Sequence, residues 1–116
     1  MEASIRKFDQ ESVPTFVVTG YFDEDLGKEL NAQIDIGLIQ GKNHVIVDFS
    51  ACPVINSLGV AQLLELTVRV DEDFAGKIFL VGVSPVIVKV LRLAGVVPQA
   101  NLVDSLTTAL QRAKAG

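Results

Sequence analysis

The sequence has few of the residues on which metal and redox sites depend. Cysteine and histidine occur once each, as Cys52 and His44, tryptophan is absent, and tyrosine occurs once. A single cysteine excludes an internal disulfide framework and a zinc site built from several cysteines. A Cys–His catalytic pair or a histidine-ligated metal would depend on these two single residues. We interpret Cys52 as a small packed hydrophobe and His44 as a solvated loop residue.

Charge and long apolar runs are also scarce. Charged residues make up 21% of the chain and the net charge is −4, so the clustered basic residues needed to bind nucleic acid are not expected. The longest apolar run, residues 78–83, is far shorter than the roughly 20 residues that cross a bilayer. The N-terminus has no basic patch followed by an apolar core, as a secretory signal has. We therefore expect a cytoplasmic domain without direct membrane insertion, resident metal or cofactor.

Aliphatic side chains are in excess. The chain has 116 residues, enough for one domain, and hydrophobic residues make up 49% of it although aromatic residues contribute only 6%. A small domain has little interior in which to bury so much aliphatic surface. Either helices cover both faces of a sheet, or some apolar surface is kept for a partner.

The hydrophobic pattern alternates between strands and helices. It predicts an N-terminal β-hairpin followed by parallel strands joined through helices, which is an α/β fold with a mixed sheet of four to five strands and four helices. The predicted strands are 5–8, 14–22, 45–49, 77–83 and a short edge strand at 101–103. The predicted helices are 23–40, 57–70, one opened by Ser84-Pro85 that ends near Ala94, and 105–113 with Asp104 as its cap.

Four polar positions follow predicted strands. They are Asp23, Asp48, the pair Asn56-Ser57, and Ser84. In α/β sheets, functional groups collect at the carboxyl ends of the strands, so we expect these side chains to share one edge of the sheet. The two aspartates are interpreted as caps or turn formers, with a pair of Mg²⁺ ligands as the alternative.

Ser57 stands at a predicted helix start and has two compatible interpretations. Its hydroxyl can cap the helix by accepting a backbone N–H from the first turn. It can also accept a phosphate, which the free N–H groups and positive dipole end of a helix N-terminus tolerate. Phosphorylation would add about −1.5 to −2 charges there. Neither a Gly-x-Ser-x-Gly elbow nor a phosphate-binding loop is present, so enzymatic catalysis has no support.

The helix after Ser57 has more apolar surface than a surface helix needs. Ala61, Leu64 and Val68 form one stripe, and Leu63, Leu66 and Val70 form a second stripe on a different face. Either the helix is mostly buried between neighbours, or the second stripe docks a partner. The predicted docking face comprises Leu58, Ala61, Gln62, Glu65, Leu66 and Arg69.

Four segments in this order and spacing resemble the STAS family, the domain of anti-sigma factor antagonists and of sulphate-transporter tails. They are VTGYFD (18–23), VIVDFS (45–50), VINSLGV (54–60) and VLRLAGV (90–96). The resemblance covers nearly the whole chain, from about residue 5 to residue 113, and implies a single STAS-like domain. The third segment is similar to the hallmark of the family, usually Asp-Ser-x-Gly after an apolar pair. Ser57 and Gly59 match this hallmark, whereas Asn56 replaces its aspartate.

The resemblance implies a phosphorylation switch. A member of this type binds an anti-sigma factor, often a serine-protein kinase, and so frees a sigma factor. The kinase then phosphorylates the hallmark serine, here Ser57, and the complex dissociates until a serine phosphatase restores it. Two alternatives remain: a phosphorylation-independent STAS scaffold or transporter accessory subunit, and a phosphoaspartate or other Mg²⁺-dependent domain that uses Asp23 and Asp48.

Overall fold

Strands and helices alternate along the chain to build a mixed sheet covered by helices. The computed structural model describes residues 2–115, which form five strands and four helices. In chain order the elements are β1 (Ser4–Gln10), β2 (Val13–Phe22), α1 (Glu24–Ile39), β3 (His44–Ile55), α2 (Ser57–Phe74), β4 (Lys77–Val81), α3 (Pro85–Leu93), β5 (Asn101–Val103) and α4 (Leu106–Ala115).

The strands lie in sequence order across the sheet. β1 and β2 are antiparallel, and β2 to β5 are parallel, as strands joined through helices must be. Gln10 pairs directly with Val13, so the hairpin loop consists of Glu11 and Ser12 alone, with φ angles of 50° and 72°. Both angles suit a type I′ turn, whose twist matches that of the strands. The predicted mixed α/β fold with an N-terminal hairpin is confirmed.

Helices on both faces of the sheet bury most of the aliphatic side chains. The larger core packs α1, α2 and α3 against one face and includes Val45 and Val47 of β3. The smaller core packs Ala109 and Ala113 of α4 against the opposite face, where Ile46 lies. Successive residues of β3 thus enter different cores, which is why this strand is apolar without alternation. None of the helices in residues 2–115 is long and apolar enough to cross a bilayer.

Strand β3 is more than twice as long as predicted. The prediction ended it at Phe49, because Ser50 and Pro53 are typical of loops. The structure continues it to Ile55, since β2 extends equally far and pairs with it to the end, through two irregularities in register. β4 accompanies β3 only to Asp48, so the second half of β3 has a strand on one side alone.

Three local interpretations can be compared with the structure. His44 is the first residue of β3, and both of its ring nitrogens are buried without a hydrogen-bond partner among the described residues, so the solvated-loop interpretation was wrong. Helix α4 is capped by Ser105, whose hydroxyl accepts the N–H of Thr108 at 3.1 Å, and not by Asp104. Cys52 packs in the larger core as expected, and this burial raises the pKa of its thiol despite backbone hydrogen bonds that oppose the shift.

Candidate functional site

The end of β2 meets the start of α2 at one backbone carbonyl. The N–H of Asn56 donates to the carbonyl oxygen of Phe22 at 3.3 Å. Gly59, in the first turn of α2, lies so close that a Cβ there would collide with the same oxygen. The hallmark glycine is therefore needed for close approach of the helix to the strand. This contact fixes Ser57, which lies between Asn56 and Gly59, directly beside the end of β2.

Asn56, and not Ser57, caps α2. Its side-chain oxygen Oδ1 accepts the N–H of Gly59 at 2.8 Å, while its backbone is extended. Ser57 is the first helical residue and is exposed. The interpretation of Ser57 as the capping residue was therefore wrong. Because Asn56 serves as the cap, the Ser57 hydroxyl is not needed for capping, and it lies at a helix N-terminus whose first N–H groups have no intrahelical acceptor.

The structure separates the two aspartates that were expected to share the sheet edge. Asp23 caps α1, where its Oδ1 accepts the N–H of Leu26 at 3.0 Å. Asp48 lies in the middle of β3 opposite Val17, about 15 Å along β2 from the strand end that precedes Asp23. Its carboxylate accepts the N–H and the hydroxyl of Ser50 at 2.8 and 2.6 Å.

This separation is too large for a shared Mg²⁺ ion, whose oxygen ligands lie about 2.1 Å from the metal. The described residues also contain no group of three or more His, Cys, Asp or Glu side chains able to hold a metal. Both aspartates act locally, since Asp23 caps a helix and Asp48 accepts hydrogen bonds from Ser50 in the same strand. The interpretation of Asp23 and Asp48 as a metal pair is therefore not supported by their positions.

Ser84 contributes to the site indirectly, through the helix that it starts. Its hydroxyl accepts the N–H of Ile87 at 3.3 Å, so it caps α3 as predicted. α3 then carries its C-terminal half to the start of α2. The two helices form an open apolar groove of about 460 Å³, which we call the Ser57 groove. It is lined by Ser57, Val60, Ala61, Leu64, Val90, Leu93 and Ala94.

The predicted docking face of α2 is only partly exposed. Leu66 has no exposed surface and belongs to the core, so its assignment to a partner face was wrong. Leu58, Ala61 and Glu65 are exposed as the prediction requires. The stripe of Leu63, Leu66 and Val70 is buried against the sheet, so the expectation that it docks a partner was wrong. The stripe that contains Ala61 and Leu64 is the one that faces solvent and α3.

Gln62 and Arg69 turn toward α1 and join it to α2. The side-chain amide of Asn31 in α1 donates to the backbone and side-chain oxygens of Gln62 at 3.2 and 3.3 Å. Arg69 donates to the Asn31 side-chain oxygen at 2.8 Å and lies 2.7 Å from the Asp35 carboxylate. Gly27 permits the close crossing, because a Cβ there would come within 2.5 Å of the Gln62 Cβ. Gln62 and Arg69 therefore join α2 to α1, and their assignment to the docking face was wrong.

Helix α3 contributes a part of the site that was not predicted from the sequence. Val86, Val90 and Leu93 recur at helical spacing and are 73%, 39% and 90% exposed, while Ile87 and Leu91 face the core. The signal was present, since a nine-residue helix with two apolar stripes has more apolar surface than one core contact requires. The sequence does not indicate that the exposed stripe of α3 lies beside Ser57.

Comparisons with known proteins agree with this architecture. The family model described as "STAS domain" matches residues 6–109. An anti-sigma factor antagonist from Mycobacterium paratuberculosis has a similar structure, with 19% identity, a TM-score of 0.80, and coverage of 97% of this chain and 95% of that one. No protein in a curated collection matches the chain in sequence.

Two further structures are similar. The Bacillus cell fate determinant SpoIIAA in its phosphorylated form is 22% identical, with a TM-score of 0.70 and coverage of 96% and 98% of the two chains. A sulfate transporter family protein from Wolinella succinogenes is also 22% identical, with a TM-score of 0.74 and coverage of 87% and 84%. With its fold, its hallmark segment and a family match over most of its length, the chain belongs to the STAS domain family.

Proposed function

We propose that this protein is an anti-sigma factor antagonist. It binds an anti-sigma factor of the serine-kinase type through the Ser57 groove, releases a sigma factor, and is switched off by phosphorylation of Ser57. The observation that carries the proposal is the position of Ser57, which is exposed, does not serve as the helix cap and lies in the lining of an apolar groove. The antagonist from Mycobacterium paratuberculosis supports it as a structure of the same fold.

A phosphate on Ser57 fits the local geometry. It would lie at the N-terminus of α2, where backbone N–H groups and the helix dipole favour an anion, so the fold tolerates the added charge. The same charge would face any apolar segment seated in the Ser57 groove and would oppose it through desolvation. Phosphorylation can therefore release a partner without unfolding the protein, and a phosphatase that removes the phosphate would restore binding.

Asn56 replaces the aspartate that usually precedes the hallmark serine. Its Oδ1 accepts the Gly59 N–H, which an aspartate oxygen in the same position would also do. The replacement therefore keeps the loop and the exposure of Ser57 and removes one negative charge. In the proposed mechanism, this charge affects how the kinase recognises the site and not whether the hydroxyl is available.

The test is phosphorylation by the cognate anti-sigma kinase. Intact mass after incubation with kinase and ATP should show one added phosphate on the wild-type protein and none on Ser57→Ala. Ser84→Ala is the matched control, because Ser84 also begins a helix but its hydroxyl is engaged as a cap. We expect this variant to be phosphorylated like the wild type. Phosphate on Ser57→Ala, or none on the wild type, would contradict the proposal.

A second candidate is a phosphorylation-independent STAS scaffold or transporter accessory subunit. The uncharged Asn56 favours it, as does the similarity to the Wolinella succinogenes sulfate transporter family protein. This candidate predicts that Ser57→Asp leaves partner binding unchanged. The antagonist proposal predicts a large loss of affinity for the same variant, so one binding measurement separates the two.

A further inference from the structure

The solvent-facing stripe of α2 continues well beyond Ser57. A second open groove of about 460 Å³ shares Ala61 and Leu64 with the Ser57 groove and extends toward the end of the helix. We call the added part the acidic extension, because it brings Glu65, Val68, Glu72 and Asp73 to the same surface, with Arg69 at its edge. The two grooves together run along α2 for about 24 Å.

The spacing of this surface matches the seam of a coiled coil. Ala61, Leu64 and Val68 recur at intervals of three and four residues, as the positions that face a partner helix do. Glu65 and Glu72 are seven residues apart and lie beside the stripe, where charged residues of a seam select the partner. Ala61 is small, which lets a second helix approach closely. The surface therefore has the form that accepts a helix.

The acidic end of α2 is not explained by the stability of the helix. Asp71, Glu72 and Asp73 lie in its last turn, and no basic residue occurs there. Negative charges at a helix C-terminus oppose the helix dipole. These three carboxylates form no ion pair within residues 2–115. A local arrangement that disfavours the fold without compensation is typical of a surface kept for binding.

The neighbouring basic groups do not neutralise this surface. Arg69 is held by Asp35 and Asn31 of α1, so its charge is already paired. Lys89 and Arg92 are exposed on α3, on the other side of the Ser57 groove. The basic residues of a helix seated here would therefore face α2.

We propose that these two grooves bind an amphipathic helix of a partner protein, with an apolar stripe on Ala61, Leu64 and Val68 and lysine or arginine residues against Glu65 and Glu72. Charge complementarity favours this occupant over an acidic segment. The inference rests on the proposed function in that the bound helix ends beside Ser57. It goes beyond that function by stating the chemistry of the partner segment and where its basic residues lie.

The test uses a designed peptide. A helical peptide of about 18 residues, with leucines at seam positions and lysines beside them, is titrated against the full-length protein by fluorescence anisotropy at low salt. We expect binding that the doubly charge-reversed variant Glu65→Lys/Glu72→Lys weakens about tenfold. We expect a version of the peptide with glutamates in place of the lysines to bind this variant better than it binds the wild type.

The matched control is Glu29→Lys/Asp104→Lys, which makes the same change in net charge at exposed positions away from the grooves. It should weaken binding less than about threefold. Equal loss in both variants, no binding to the wild type, or self-association of the protein in place of peptide binding would overturn the inference. The peptide titration contains no kinase and the phosphorylation assay contains no peptide, so a failure of phosphorylation at Ser57 and a failure of peptide binding are separate results.

Discussion

The assignment of the α2 cap to Asn56 predicts unequal effects on stability for two neighbouring substitutions. In Asn56→Ala the N–H of Gly59 loses its acceptor, which lies at 2.8 Å in the wild type. Loss of such a cap costs about 1 kcal/mol of the free energy of unfolding. In Ser57→Ala no hydrogen bond of the described structure is lost, so the expected change is within about 0.5 kcal/mol.

These differences can be measured by unfolding. With a slope of about 1.5 kcal/mol/M, a loss of about 1 kcal/mol lowers the urea midpoint by about 0.7 M. The same loss lowers the melting temperature by about 4 °C for a domain of this size. Asn56→Asp, which keeps an oxygen acceptor and adds a charge favourable to the helix dipole, should be as stable as the wild type or more stable.

The reverse order of stabilities would contradict the assignment of the α2 cap to Asn56. If Ser57→Ala were the destabilised variant and Asn56→Ala unchanged, then the serine would be the cap and its hydroxyl would not be free. Ser57 would then be engaged in the helix cap and not available for modification, whatever the kinase assay showed.

Two further substitutions, and the ionisation and reactivity of the Cys52 thiol, test other parts of the structure. Gly59→Ala should lower the free energy of unfolding in urea by about 2 kcal/mol, because the added Cβ collides with the Phe22 carbonyl of β2. The control Gly37→Ala should not lower it, because its Cβ meets nothing closer than 3.6 Å. Equal losses in the two variants would contradict the close approach of α2 to β2. Arg69→Ala should lower the free energy of unfolding by about 1 kcal/mol, because it breaks a partly exposed ion pair with Asp35 of α1. The loss should be smaller at high salt, which screens the pair. Unchanged stability would indicate that Arg69 is not needed to join the helices and can contact a partner. Burial raises the pKa of the Cys52 thiol above its ordinary value of 9.0, so the unfolded state ionises first and stability should fall as the pH rises past 9. The native thiol should accordingly react with iodoacetamide more slowly than the unfolded one, and equal rates would contradict its burial.

The elements of the fold were predictable because hydrophobic spacing and caps act locally. The stripe of Leu26, Leu30 and Ile34 marked α1, and the Ser84-Pro85 pair marked the start of α3. The length of β3 was not predictable, because residues 50–55 have loop-like chemistry and become a strand only through pairing with β2. Tertiary pairing outweighed local preference there.

The candidate site was predictable in its centre and not in its extent. Ser57, Asn56 and Gly59 were identified from the hallmark segment, and the structure adds which of them caps the helix. Gln62 and Leu66 were both assigned to the docking face, but Gln62 binds α1 and Leu66 faces the sheet. The sequence of one helix does not indicate which of its faces are covered by neighbouring elements. The groove between α2 and α3 is therefore visible only in the three-dimensional structure.

The most direct test of the central claim is the affinity of the protein for its cognate anti-sigma factor before and after phosphorylation of Ser57, measured by calorimetry. We expect the unmodified protein to bind and the form phosphorylated on Ser57 to bind at least about a hundredfold more weakly, while both forms remain equally folded. Equal affinities of the two forms would contradict the switch.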